Sequence, residues 1–258
     1  MIFNFSSTKN EKYKFFKSLK QKKTRVNTGL YTVEGIKSVQ DAVSANAAIE
    51  AILISDILYK KENIVFDDTI SVYVIDEKIF SPLADTENSQ GIIAVLKQEK
   101  GEFLIDKSKA YIYCDCINDP GNLGTIIRTA DAAGFGGVLL SDGCVDLYSP
   151  KTVRSSMGSF FHINKAEKIS YELLKKYKEN GFSIVCGVLA ENTVDYIAAD
   201  FTRPVIIVVG NEANGISDEV LKLSDVNVKI PIAGKAESLN AAVAAAILMY
   251  EVNRQRRN

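Results

Sequence analysis

The sequence predicts an α/β protein in two parts: a small N-terminal α/β domain, then a larger domain built on a parallel sheet with helices on both faces. Three observations carry this. In the second half the strand-like runs "AYIYCDC", "GVLLSD", "FSIVCGVLA" and "VIIVVG" are apolar on both faces and alternate with helical patterns, as parallel strands covered on both sides do. In the first half "GLYTVEGIKSVQDAVSANAAIEAILIS" reads strand, helix, strand, and the runs "SVYVID" and "GIIAVLK" follow, which makes a compact unit of short elements. Between the halves "KQEKGEFLIDKSKA" is charged and poorly periodic, as a linker is. The expected divisions are a basic N-terminal segment at 1–25, the small domain at 26–97, a linker at 98–109 and the large domain at 110–258.

The 258 residues are 47 % hydrophobic and 24 % charged, close to the globular average, so sizeable cores are expected. The longest apolar runs are far shorter than the roughly 20 residues of a membrane span. The opening "MIFNFSSTKNEKYKFF" has no apolar stretch followed by a small-residue cleavage site, so a cytoplasmic protein with no membrane partner is expected. Cys114, Cys116, Cys144 and Cys186 form no C-x-x-C pair; Cys114 and Cys116 alternate and are expected on one side of a strand as reduced thiols. With His162 the only histidine, neither a Cys/His zinc site nor a Ser-His-Asp triad is expected, and no metal.

From Lys9 to Arg25 the chain reads "KNEKYKFFKSLKQKKTR", where Glu11 is the only acid among eight basic residues. Basic charge interleaved with Tyr13, Phe15 and Phe16 suits a phosphate backbone with stacked bases. A solvated surface helix produces the same pattern, and both readings stand. The tail "NRQRRN" adds a second basic patch. In the next helix Ile36, Val39 and Val43 are expected on one buried stripe.

Three stretches of the large domain carry chemistry. In "DPGNLGTIIRTADAAG", Asp119 to Gly134, Pro120 and Gly121 predict a type II turn, with Asn122 placed to cap a helix. Leu123, Ile126, Ile127, Ala130 and Ala133 share one core-facing stripe, Arg128 lies roughly opposite, and Gly134 ends the helix. Arg128 thus leaves a helix that begins at the carboxyl end of a strand, where open α/β sheets place ligands; an ordinary surface arginine is the alternative.

The second stretch, "VIIVVGNEANGIS", runs a buried strand into a glycine-bounded loop. Gly210 allows close approach of a ligand to the backbone and Gly215 a positive φ, while Asn211 and Glu212 set an amide and a carboxylate at the strand's end. Neither G-x-G-x-x-G nor a P-loop occurs, so dinucleotide and P-loop readings lack support. The third, "VKIPIAGKAESLNAAVAAAILMYEVN", is strand, glycine loop, then "SLN" at the head of an alanine-rich helix, which Ser238 or a neighbour caps.

In this order the three stretches resemble the motifs of the SpoU (TrmH-like) family, RNA ribose 2′-O-methyltransferases of the SPOUT superfamily. The likeness rests on Asn122 and Arg128; on Gly210, Asn211, Glu212 and Gly215; and on Ile230, Pro231, Ser238, Leu239 and Asn240. "KTVRSSMGSFFH" is similar to the segment between the first two motifs, and "TVEGIKSVQDAV" with "SQGIIAVL" to the family's small RNA substrate-binding domain.

The resemblance implies a SPOUT-type sheet with a deep trefoil knot, an exception to the unknotted rule, and S-adenosylmethionine as cofactor. It assigns Gly210, Asn211, Ile230 and Leu239 to that cofactor, with Leu189 beside the adenine. It further implies a homodimer through the last helix, and RNA as partner, ribosomal RNA rather than transfer RNA. Arg128 is the implied catalytic residue. Because a guanidinium stays protonated, its role is to polarise the ribose hydroxyl or stabilise the developing alkoxide, with an RNA phosphate to accept the proton. Asn122 would orient Arg128 or the ribose, Ser238 and Asn240 would align the substrate, and Glu212 would anchor loop and arginine. The rival reading is a non-catalytic RNA-binding assembly factor, against which the intact set of motif residues argues.

Overall fold

The structure is a computed structural model that describes residues 1–62, 69–99, 103–190 and 192–257. The expected linker at 98–109 includes residues 100–102, which lie outside the described residues. In chain order the elements are β1 (Ile2–Phe5), α1 (Glu11–Ser18), α2 (Lys22–Thr28), β2 (Leu30–Glu34), α3 (Ile36–Ser44), β3 (Ile49–Ser55), α4 (Asp56–Glu62), β4 (Ser71–Ile75), α5 (Glu77–Phe80) and β5 (Ile92–Lys97). Then come β6 (Tyr111–Cys114), α6 (Pro120–Ala132), β7 (Gly137–Leu140), α7 (Pro150–Ser156), β8 (Asn164–Ala166), α8 (Tyr171–Glu179) and β9 (Ser183–Gly187). The chain closes with β10 (Val194–Asp195), β11 (Val205–Val209), α9 (Asp218–Leu221), β12 (Val226–Lys229) and α10 (Ala241–Arg256).

Two compact units result: Met1–Gly101 with Tyr148–Phe161, and Glu102–Leu147 with His162–Asn258. The first carries a five-stranded sheet in the order β1-β4-β3-β5-β2. Its β5 runs antiparallel to β2 and β3, while β4 is parallel to β1 and β3. The basic N-terminal stretch is built into this unit. Here the stacking expectation is corrected: Tyr13 and Phe16 are 2 % and 7 % exposed and pack on Leu53, Tyr73 and Phe80 in the core. Their spacing puts both on the inner stripe of α1 while the intervening lysines face water. Tyr13 Oη donates to the Ile79 carbonyl at 2.8 Å. Arg25 is buried too, its guanidinium donating to the Leu19 and Lys20 carbonyls at 2.8 and 2.7 Å.

The α3 stripe is also corrected. Val39 and Ala42 are buried and Val43 is 54 % exposed, because a nine-residue helix docks through one i, i+3 row and Val43 lies beside it. Residues of the segment between the first two motifs belong to this unit as well: Tyr148 and Phe160 pack on Tyr31, with ring centroids 4.9 and 5.7 Å away.

The second unit holds a seven-stranded sheet in the order β10-β12-β9-β11-β6-β7-β8 with all pairs parallel. The start of α6 departs from the expected turn. Pro120 and Gly121 already lie in the helix, and the N-cap is Asp119, whose Oδ1 accepts from the Asn122 amide N–H at 2.8 Å. Proline at the first helical position loses no needed donor, so Asp-Pro starts a helix here more favourably than Pro-Gly makes a turn. The Asn122 side chain is thereby not used in the cap. Gly134 closes the helix at φ +74°, as expected. The paired placement of Cys114 and Cys116 on one strand does not occur. β6 stops at Cys114, and Cys116 turns away at φ +55° with its N–H donating to Ser141 Oγ at 2.9 Å.

Asn240 caps α10, its Oδ1 accepting from the Ala242 and Val243 amides at 2.9 and 3.3 Å. Near the other end Glu251 is buried and accepts from Arg254 Nε and an Arg254 terminal nitrogen at 2.8 and 2.7 Å, and from Gln255 at 2.7 Å. The Arg254 bonds hold its carboxyl below the ordinary 4.5. A carboxylate whose folded value is depressed stabilises the fold above its unfolded value and loses that contribution as the pH falls through the folded one. Melting temperatures measured from neutral pH downward should therefore fall less steeply in Glu251→Gln than in wild type once the glutamate range is reached. An identical acid limb would remove Glu251 from that account.

Candidate active site at the carboxyl ends of the strands

The carboxyl ends of β9, β11 and β12 surround a cavity of about 470 Å³. The glycine loop after β11 forms one wall, and its shape is set by its own backbone. Asn211 and Gly215 exchange two hydrogen bonds, Asn211 N–H to the Gly215 carbonyl at 2.9 Å and the reverse at 2.8 Å. Gly215 takes φ +69°, as expected. A Cβ on Gly210 would lie 2.2 Å from the Gly215 carbonyl carbon. The crowding that demands glycine at 210 thus comes from the folded-back loop.

The Asn211 side chain is tied down on both its polar atoms. Its Nδ2 donates to the Cys116 carbonyl at 2.9 Å, and its Oδ1 accepts from the Ala213 and Asn214 amides at 2.8 and 3.1 Å. Asp115, buried at the end of β6, holds the far side of the loop by accepting from the Ser217 N–H at 2.7 Å. Sequence reading passed over Asp115; an aspartate one residue beyond an apolar strand was the available signal.

All five residues assigned to the cofactor, Gly210, Asn211, Ile230, Leu239 and Leu189, line this cavity, and so do Glu212 and Ser238. Asn122, Asn240 and Arg128 do not. Two of those three join the wall through hydrogen bonds. Asn122 Nδ2 donates to Glu212 Oε1, and Asn122 Oδ1 accepts from Asn240 Nδ2 at 3.0 Å. One residue from each stretch therefore meets in a single row, with Asn122 in the middle. Glu212 is bonded to Asn122 and not to Arg128. Arg128 is exposed on α6 and has no hydrogen-bond or ion-pair partner among the described residues. His162 stands away from the cavity, 3.8 Å from Asp131.

The site offers apolar walls, loop backbone and a row of amides beside one carboxylate. Among the described lining residues there is neither histidine nor cysteine. Such a site can hold a small amphipathic molecule and orient a polar group. Glycine-looped cavities at the strand ends are where parallel α/β sheets bind small-molecule ligands.

The chain belongs to the SpoU rRNA Methylase family, which matches residues 109–250, and an MRM3-like substrate binding domain matches residues 10–94. It is thus an RNA methyltransferase. It is 36 % identical over 248 residues to the 23S rRNA (guanosine(2553)-2′-O)-methyltransferase RlmP of Bacillus subtilis, covering 95 % of this chain and 97 % of that protein. The AdoMet-bound rRNA methyltransferase of Sinorhizobium meliloti superposes with a TM-score of 0.87 at 32 % identity, covering 98 % of both chains. The SpoU methyltransferase AviRb of Streptomyces viridochromogenes, in complex with AdoMet, gives 0.85 at 27 % identity over 96 % of this chain and 98 % of that one.

Proposed function

We propose that this protein transfers a methyl group from S-adenosylmethionine to a ribose 2′-hydroxyl of ribosomal RNA. The observation that carries the reading is the Asn240–Asn122–Glu212 row, which ties all three stretches to one cavity. The residues present fit the cofactor: the folded loop at Gly210 leaves backbone facing the cavity, and Ile230, Leu239 and Leu189 supply apolar wall for a base. When bound, S-adenosylmethionine supplies an electrophilic methyl on a sulfonium. Arg128 then polarises the ribose hydroxyl and stabilises negative charge on its oxygen, a role for a fixed cation. Asn122 and Asn240, each holding the other, orient the sugar, Ser238 aligns it from the cavity wall, and Glu212 fixes Asn122. Orientation can contribute about 7–11 kcal/mol, against factors of about 10²–10⁴ for general base help. Positioning is therefore the larger contribution.

The names of the relatives support ribosomal over transfer RNA. Residues 26–97 serve in this reading as the RNA-binding domain and 110–258 as the catalytic one. The exposed lysines of residues 1–25 extend the RNA surface. A homodimer is supported by apolar groups left in water on the second unit: Val243 and Tyr250 on α10, each 48 % exposed, and Val194 and Ile197 at 45 % and 59 %. The trefoil knot is supported by strand order. The chain leaves β11, passes to β12 on the far side of β9, and returns as α10 to pack on α6 and β11. The likeness to the Bacillus subtilis enzyme supports a cytoplasmic location.

The test is incubation with methyl-tritiated S-adenosylmethionine and separate pools of ribosomal and transfer RNA, followed by digestion to nucleosides. Label should appear in a 2′-O-methylated nucleoside from ribosomal RNA. Label on a base, or in transfer RNA alone, overturns the reading. Deleting residues 1–25 would remove β1 and core aromatics, so the basic surface is tested by reversing Lys17, Lys22 and Lys23 to glutamate. RNA affinity should drop, and the slope of log affinity against log salt should shrink by roughly 0.7–0.9 for each phosphate no longer neutralised. An unchanged slope would make those lysines bystanders.

A further inference from the structure

The aromatic ring that the N-terminal segment leaves to solvent is on β1, not on α1. Tyr13 and Phe16 are taken up by the core, whereas Phe3, on the edge strand of the five-stranded sheet, stays 37 % exposed. It stands directly across from Tyr73 of β4, and the two rings stack with centroids 5.1 Å apart and planes 18° from parallel. Tyr73 is itself buried and braced by Phe5 and Phe16, at 5.1 and 4.9 Å, so Phe3 rests on a fixed base. Lys12 Nζ donates to Tyr73 Oη at 2.7 Å and lies 5.5 Å from the Phe3 centroid and 5.2 Å from that of Tyr73. A triangle with three nearly equal sides puts the ammonium on the Tyr73 side of the Phe3 ring. Neither group covers the opposite face of Phe3, and among the described residues no other ring packs against it.

We infer that Phe3 is a stacking platform for a base of single-stranded RNA, with Lys12 beside it to meet a phosphate. The inference rests on the proposed RNA substrate. A ring with one face in water and the other backed by a second ring takes a nucleobase without needing a cavity, and any base serves because each has a π-face. A paired, stacked base offers no such face, so the partner is an unpaired stretch. The surrounding charge has the matching sign. Lys9, Lys12 and Lys14 follow β1 around the start of α1, and Glu11, the one acid among them, is occupied by Lys14 at 2.6 Å. Lys12 has no carboxylate partner among the described residues. Tyr73 takes one of its three donors and none of its charge, which leaves the rest for a phosphate oxygen. Phe3 lies outside the basic run, and only the pairing of β1 with β4 brings it to Lys12.

The experiment is fluorescence anisotropy of a short fluorescein-labelled oligoadenylate, titrated at several salt concentrations and below the melting point of each variant. Phe3→Leu keeps an apolar side chain at the edge but has no π-face. It should bind about ten-fold more weakly at every salt concentration, with the salt slope unchanged because no phosphate contact is lost. Phe3→Trp, with a wider face, should bind at least as tightly as wild type. Lys12→Gln should reduce the slope by roughly 0.7, the value of one phosphate on a single strand. Wild-type affinity in Phe3→Leu overturns the inference. So does equal weakening in Phe3→Leu and Phe3→Trp, an effect of packing alone, or an altered slope in Phe3→Leu, the sign of a displaced lysine. A wild-type protein that sediments as a larger species than Phe3→Leu gives the face to a second copy and overturns it too. If wild type methylates ribosomal RNA without binding the oligoadenylate, the platform falls alone; if it transfers no methyl to ribosomal RNA, the proposed function falls first.

Discussion

Replacing Arg128 with alanine should reduce methyl transfer by at least about 10²–10³, the loss seen when one preorganised charge or donor is removed from a transition state. Binding of S-adenosylhomocysteine should stay at its wild-type value, because Arg128 does not line the cavity. The split between the two readouts is the informative part. Arg128 is exposed and unpaired among the described residues, so its removal breaks no internal bond and should leave the melting temperature unchanged. Arg128→Lys should fail nearly as badly, since an ammonium cannot present two parallel donors to a sugar oxygen and a neighbouring phosphate. Single-turnover rates at saturating RNA separate this role from RNA binding. An Arg128→Ala enzyme that keeps its rate at saturation, with only a raised KM, would reduce Arg128 to a phosphate-binding group.

Gly210→Ala should disable the protein by a different route. The added methyl would meet the Gly215 carbonyl carbon at 2.2 Å, its oxygen at 2.3 Å and the Ile216 nitrogen at 2.4 Å. All three are backbone atoms, so no side chain can swing aside. The loop must open, which breaks the paired Asn211–Gly215 bonds and moves Glu212 away from Asn122. Overpacking of this kind costs about 1–3 kcal/mol, which thermal unfolding will read. Cofactor affinity should fall with it. Gly234→Ala is the control, since nothing lies within 4 Å of the position its Cβ would take, and it should match wild type in both measurements. A Gly210→Ala protein with unaltered melting and binding would mean that the loop has slack the geometry denies.

Much of this site could be read along the chain. The three stretches were legible because each couples a strand end to punctuation with a local cause: Gly215 for a positive φ, Gly134 for a helix stop, Asn240 beside Ser238 for a cap. Other local signals were misleading. Pro120-Gly121 reads equally as a turn and as a first helical turn, and the choice fell to Asp119, whose carboxylate reaches the third amide. Lysines interleaved with Tyr13 and Phe16 look the same whether the rings face RNA or a core. The neighbouring sheet, with Tyr73 and Leu53 waiting, decided for the core.

Periodicity and backbone freedom were enough to specify a parallel sheet, its covering helices and a glycine loop at its edge, because each depends on neighbours a few residues away. Which polar groups meet was beyond their reach. Asn122 finds Glu212 across 90 residues and Asn240 across 118, and Asn227 is left without a partner only because strands distant in sequence close around it. Hydrogen bonds and burial act over a few ångströms, so pairings and orphaned groups of that kind exist only once the chain has come together.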